Sequence, residues 1–266
     1  MAVKFIIRII DRDQKIIEEI SGHEDVCLQF ERQFVQGDII QIESSEVPIA
    51  IQVAVDKTLS QANLWLVEKA MEFPIPLGSS HDAYPPNAFL ENEHTITVRK
   101  IEEAIWNAYG NLSFNPLDKR GETSYYPHCS ATVETRDESV FAARNTIDGR
   151  YDNTFHGQWP FTSWGDNEDA NAQIMIEFGR KVTVDQAMIL LRADFPHDNY
   201  WKQATLVFSD TSTEVLHLSK TKDKQNIRFS PRTVEWVKLA DLVKSDEESP
   251  FPALSQWEIF GHNDGN

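Results

Sequence analysis

The sequence predicts an all-β protein of two domains, and three observations predict it. Short apolar runs rich in β-branched and aromatic residues recur along the whole chain, several with strict period-2 alternation. Turn formers separate them, and the second half carries no amphipathic helical period. With 266 residues the chain exceeds ordinary single-domain size, so two domains of roughly 100–150 residues each are expected.

Taken in order, KFIIRII and KIIEEI flank the polar DRDQ and predict a hairpin. DIIQIE and PIAIQVAV follow, the second placing Ile49, Ile51, Val53 and Val55 on one face, which should be core. TLSQANLWLVEKAM fits a helix through Leu59, Ala62, Leu66 and Ala70 but reads as a strand through NLWLV. Residues 73–92 hold four of the twelve prolines and no sustained period, so they are expected to form a long surface excursion. HTITVRKIEEAIW resumes as a strand with Ile96, Val98 and Ile101 inward. The polar, turn-rich NAYGNLSFNPLDKRGETSYYP is the domain junction, with the boundary near Asp118. This gives a β-rich domain over 1–118, expected to be a sandwich as well, and a second domain over 119–266. Trp106 and Tyr109 are candidates to pack against the neighbouring domain.

The second half repeats the pattern with seven runs: AQIMIEFG, VTVDQAMILLRAD, ATLVFSD, TEVLHLSK, NIRFS, TVEWVKLADL and LSQWEIFG. Short turns between them argue for a β-sandwich. KSDEESPFPAL reads as a solvated loop.

Composition limits the function classes. With 42 acidic against 25 basic residues, the formal charge of -17 repels nucleic-acid phosphate and anionic membranes, so neither is expected as a partner. No apolar run reaches the roughly 18 residues of a membrane span, and MAVKFIIRII is too short and interrupted for a secretory signal. On this basis the chain is expected to be cytoplasmic. Only Cys27 and Cys129 are present, so no disulfide framework is expected.

One stretch stands out: FAARNTIDGRYDNTFHGQWPFTSW, residues 141–164, in which glycines and proline interrupt any period and His156, Phe155, Trp159 and Trp164 collect. Asp148-Gly149 makes a tight turn, in which Asp148 accepts a local hydrogen bond and Gly149 takes a positive φ. LLRADFPHDNYW adds Arg192, Asp194, His197, Asn199 and Trp201 within a short span. Together they offer ring faces for a pyranose and forked donors and acceptors for its hydroxyls. Each has a plainer alternative: Arg192 can pair with Asp194 or Asp198 at the surface, Asn199 can cap its loop, and Trp201 and Trp164 can be core.

ARNTIDG followed by DNTFH, then IEFGRKVTVDQAMILLR, FSD and QWEIFG, in that order, resemble the galactose-binding-like, discoidin-type domains of coagulation factors and many carbohydrate-binding modules. The resemblance covers residues 128–261. It implies a jelly-roll β-sandwich that binds a saccharide without cleaving it, through Arg192, Asn199 and His156; Trp159, Asp194 and His197 join them as ligand candidates from the chemistry of the two stretches alone. It also implies a structural calcium ion, with Asp148 and Glu258 as carboxylate ligands and Asn145, Asp152 or Thr154 supplying further oxygen. This chain departs from the pattern in two respects: Phe155 stands where a tryptophan is usual, and the loop is one residue short.

Two further readings stand beside this one. A cytoplasmic domain of this kind suits a protein-interaction module. His128, His156 and His197 suit a zinc-type hydrolase with three ligands and an open position, although no HxH, HExxH or CxxC spacing supports it. A nucleophilic Cys129 with a histidine base would need an orienting acid and an oxyanion loop, and neither is identifiable.

Overall fold

The computed structural model describes residues 2–121 and 123–264. In the first half, seven strands come in quick succession: β1 (Lys4–Ile10), β2 (Ile16–His23), β3 (Asp25–Glu31), β4 (Ile39–Ser44), β5 (Ile49–Ala54), β6 (Ala62–Leu66) and β7 (Ala70–Pro74). β8 (Glu93–Lys100), a four-residue helix α1 (Glu103–Trp106), β9 (Gly110–Asn111), β10 (Tyr125–Tyr126) and β11 (His128–Ala131) follow. Two antiparallel sheets result, ordered β2-β1-β4-β7 and β10-β6-β5-β8-β3. Alternation decides which face is buried: Phe5, Ile7 and Ile9 of β1, beside Ile40 and Ile42 of β4, share one core with Ile51, Val53, Leu64, Ile96 and Val98 of the other sheet. The expected inward set of β5 is buried as read, and 62–66 is a strand.

The proline-rich stretch is not a surface excursion. Its start completes β7, a 3₁₀ turn spans Gly78–Ala83, and Ala83, Tyr84, Ala88 and Phe89 are buried in the first core. Polar anchors hold it there: buried Asp56 accepts from the Phe89 amide at 2.9 Å, and a half-buried His81 ring nitrogen meets the Ala88 carbonyl at 2.9 Å. The apolar residues of this stretch have no period because they plug the mouth of a sandwich, where no lattice repeats.

The second half contributes β12 (Trp164–Gly165), β13 (Ile174–Leu191), β14 (Trp201–Phe208), β15 (Thr213–His217), β16 (Gln225–Lys244) and β17 (Ala253–Asn263). Six of its strands are ordered β12-β17-β13-β16-β14-β15, with β11 also on β13 and β9 on β17. Four of the expected runs fuse into two long strands, β13 and β16. Their register breaks between Glu177 and Val182 and again between Val184 and Gln186, so the ribbon bends and closes over a core that includes Trp164, Trp201, Trp257, Phe178 and Phe208. A further register shift in β17 keeps Leu254, Trp257 and Ile259 in that core and leaves Gln256 and Glu258 on the opposite face.

The junction is shared. Leu112 belongs to the second core, Leu117 and Tyr125 to the first, and β9 and β10 extend one sheet of each half. Asp118, fully buried, meets the His128 ring at 2.7 Å and accepts from the Cys129 amide at 2.8 Å. Trp106 and Tyr109 do face the other half: the Trp106 carbonyl accepts from Asn263, the Arg180 guanidinium lies 4.4 Å from the Trp106 ring centre, and Tyr109 donates to Asp185 at 2.7 Å.

Candidate functional site

Three loops meet at one end of the second sandwich: residues 148–163, residues 192–200 between β13 and β14, and residues 245–252 between β16 and β17. Buried side chains join them. Asn153 donates to the carbonyls of Leu191 and Lys222 at 2.8 and 3.0 Å, tying the first loop to the end of β13. Asn199 is wholly buried; it donates to the Glu247 and Ser249 carbonyls at 3.1 and 2.6 Å and accepts from the Tyr200 amide and the Ser245 hydroxyl. Its amide is therefore consumed in clamping the third loop, as the capping alternative held, and it offers nothing to a ligand.

Asp198, also wholly buried, is the centre of the second loop. Arg192 reaches both its oxygens at 2.7–3.0 Å, the Asp194 amide donates at 2.8 Å, and the His197 Nδ1 lies at 3.1 Å. The Arg192–Asp198 pair is thus an interior fork rather than a surface ion pair. Burial of both partners makes it costly to break, because either charge alone would be stranded.

On this base the rings stack. His156 meets Asp194 through Nδ1 at 2.6 Å and lies parallel to His197, their centres 4.3 Å apart at 6°. Phe155 continues the stack on one side at 5.2 Å and Phe251 on the other at 5.4 Å. Four rings from three loops form one ladder, with Phe155 and Phe251 largely exposed at its ends. Beside it lies a cavity of about 150 Å³ lined by Phe141, His156, Asp166, Arg192, His197 and Phe251. An engineered apolar cavity of roughly this volume takes up benzene, so there is room for one six-membered ring. Burial raises the Asp166 carboxyl, against the indole N–H of Trp201 that donates to it at 3.2 Å.

Of the expected ligand residues, His156, Arg192, Asp194 and His197 come together. Trp159 does not join them. It is half-buried under the Arg150 guanidinium, 5.1 Å from its ring centre, and its amide donates to the Asp82 carbonyl of the first half. There it lines a separate narrow cavity with Tyr84, Arg144 and Asp148. Sequence reasoning passed over Phe251, Phe141 and Asp166. An aromatic between Pro250 and Pro252 in a polar turn was the one available signal for Phe251; Phe141 opens the singled-out stretch and Asp166 closely follows it, but neither carries a local pattern that marks it as lining. The three-histidine set is also undone: His128 is buried beside Asp118 and away from the ladder, while His156 and His197 adjoin. Burial drives the Cys129 thiol well above its usual range, which removes it as a nucleophile.

The implied calcium cradle is built around the expected turn. Gly149 has φ +82°, and the Asp148 carboxylate accepts from the Arg150 amide at 2.8 Å. A Cβ at Gly149 would lie 2.5 Å from the Phe114 ring. Two of the three carboxylates, however, already face arginines, and the third is bonded to a phenol. Asp148 faces Arg144 and Arg150, Asp152 pairs with Arg150 at 2.9 Å, and Glu258 accepts from Tyr151, whose ring carries the Lys224 ammonium. The side-chain oxygen of Asn145 accepts from Arg144, and Thr154 is exposed. The buried Gln256 amide adds polarity on the face of Glu258 but no charge. A calcium site needs surplus negative oxygen, and this donor set does not fit the ion.

No family model matches the sequence, and no curated protein does. Solved structures to which the chain is similar include chitosan-binding module 1 of a chitosanase/glucanase from Paenibacillus sp. IK-5, 20% identical over 57% of this chain and 99% of that one, at a TM-score of 0.39. A Streptococcus pneumoniae fucose-binding module is 11% identical over 58% of this chain and 99% of its own, at 0.42. The family 32 carbohydrate-binding module of Clostridium perfringens NanJ, solved with galactose, is 17% identical over 50% and 91%, at 0.37.

Proposed function

We propose that the second half binds a single saccharide ring, without cleaving it, in the cavity beside the four-ring ladder. The observation that carries this reading is the pairing of an open, ring-sized space with a guanidinium, two imidazoles and the Asp166 carboxyl on its wall and an exposed Phe251 at its rim. Such a wall supplies donors and acceptors for hydroxyls and an apolar face for the C–H side of a pyranose. The resemblance of ARNTIDG, DNTFH and QWEIFG to the galactose-binding-like pattern points the same way. Buried side chains hold the polar groups in place before any ligand arrives, which lowers the ordering cost of binding. A hydrolase reading loses its third histidine, since His128 lies away from the ladder.

A glycan panel read by calorimetry tests this, comparing the wild type with Phe251→Ala and His197→Ala. One monosaccharide class should bind the wild type, and each variant should lose about 1–2 kcal/mol, a roughly 5–30-fold weaker Kd. Absence of any saccharide binding, or full affinity in both variants, sinks the reading. Arg192 is left intact because its loss would strand the buried Asp198.

A further inference from the structure

We infer that His156, Asp194 and His197 form a binding site for a borderline divalent cation of the zinc class, at the edge of the ring-sized cavity. One ligand atom of each residue lies within 4.8 Å of the other two, and among the described residues no other group of three histidines, cysteines or carboxylates does so.

The chemistry of the donors selects the ion. Two imidazoles and one carboxylate suit zinc and its neighbours, whereas calcium and magnesium take oxygen almost alone. Three protein ligands leave at least one coordination position open, as in sites where zinc binds a water or a ligand. The surroundings also match. Asp198 holds the Nδ1 of His197 at 3.1 Å and is itself fixed by Arg192. A carboxylate on Nδ1 keeps the proton there, directs the lone pair of Nε2 outward and raises its basicity. Asp194 meets the His156 Nδ1 at 2.6 Å, and an ion that displaces the proton between them takes both atoms as ligands.

Access is open, since the side chains of His156, Asp194 and His197 are 36%, 23% and 44% exposed. A metal lies in the plane of each imidazole it binds, so parallel rings 4.3 Å apart cannot both ligate without movement. His197, the more exposed of the two, is the ring that turns, and loading therefore breaks its stack with His156.

The test uses the full chain and zinc chloride alone, without saccharide, in calorimetry. One zinc per chain is expected for the wild type, with binding roughly 10–100-fold weaker or lost in His156→Ala and in His197→Ala. His217→Ala, an exposed histidine on β15, should bind as the wild type does. Melting curves establish that each variant is folded. Asp194→Asn, which keeps the shape of the loop, should weaken zinc as well and covers the case in which a histidine variant misfolds. Cobalt loaded in place of zinc should give a visible absorption band that the same substitutions remove. No stoichiometric zinc in the wild type, or equal binding in all the folded variants, overturns the inference. The saccharide reading is separable: the glycan panel run with chelator tests it without metal, and Phe251→Ala should weaken saccharide binding while keeping zinc.

Discussion

Asp148 illustrates how one buried carboxyl carries a testable signature. Burial raises its pKa from 3.8 to about 6, against the opposing pull of Arg144 and Arg150. Because the folded value lies above the unfolded one, the carboxyl's contribution to stability is fully present below pH 3.8 and is lost as pH rises through about 6. Asp148→Asn keeps the oxygen that accepts from the Arg150 amide and removes this dependence. Between pH 4 and pH 7, urea melts should shift in favour of the variant by on the order of 3 kcal/mol. Added calcium or chelator should leave the wild-type melting temperature unchanged, because Asp148 and Asp152 already face arginines. Parallel pH curves for the two proteins, or stabilisation by calcium, would refute this account. The same residue also marks what is readable locally: the Asp148-Gly149 turn follows from side-chain chemistry within four residues and was legible, while the arginines around it were not.

At the scale of the element, the long strands β13 and β16 place the site. Period-2 patterning located their halves, but the sequence between them reads as turns, because Gly179 and Pro231 are ordinary turn residues. In the fold those positions lie near the register breaks of a continuous ribbon, and Gly179 has φ +65° with the Tyr126 ring against it. β17 crosses β13 equally closely at Gly261, where an added Cβ would meet the backbone oxygen of Thr183. Gly261→Ala should therefore cost about 3 kcal/mol in denaturant melts, whereas Gly110→Ala, its partner across the β9–β17 pair with open space at the Cβ, should stay within about 0.5 kcal/mol. Equal effects of the two would show that the contact does not govern the strand pair.

For the whole molecule, the two cores exchange chain at 110–126: β9 and Leu112 serve the second, Leu117 and β10 the first. A fragment beginning at 119 lacks β9, which pairs with Phe260 and Gly261, and a fragment beginning at 107 keeps it. The shorter piece should melt at least about 3 °C lower by circular dichroism, a shift that corresponds to roughly 1 kcal/mol at this size. Equal melting temperatures would mean that β9 adds nothing to the second sandwich.

The all-β class, the inward faces of β5 and β8 and the Asp-Gly turn were legible in the sequence, since alternation and turn chemistry act within a few residues of the chain. The sequence also singled out His156, Arg192, Asp194 and His197, because they stand in loops where ring and charge chemistry is dense. Which of these meet is settled by the fold. Phe251 arrives from a loop 95 residues beyond His156, Trp159 is drawn off to the first half by Asp82, and Asn199 is spent on a buried clamp. Those outcomes depend on how sheet bends and loop anchors bring distant side chains together, and no local pattern records it.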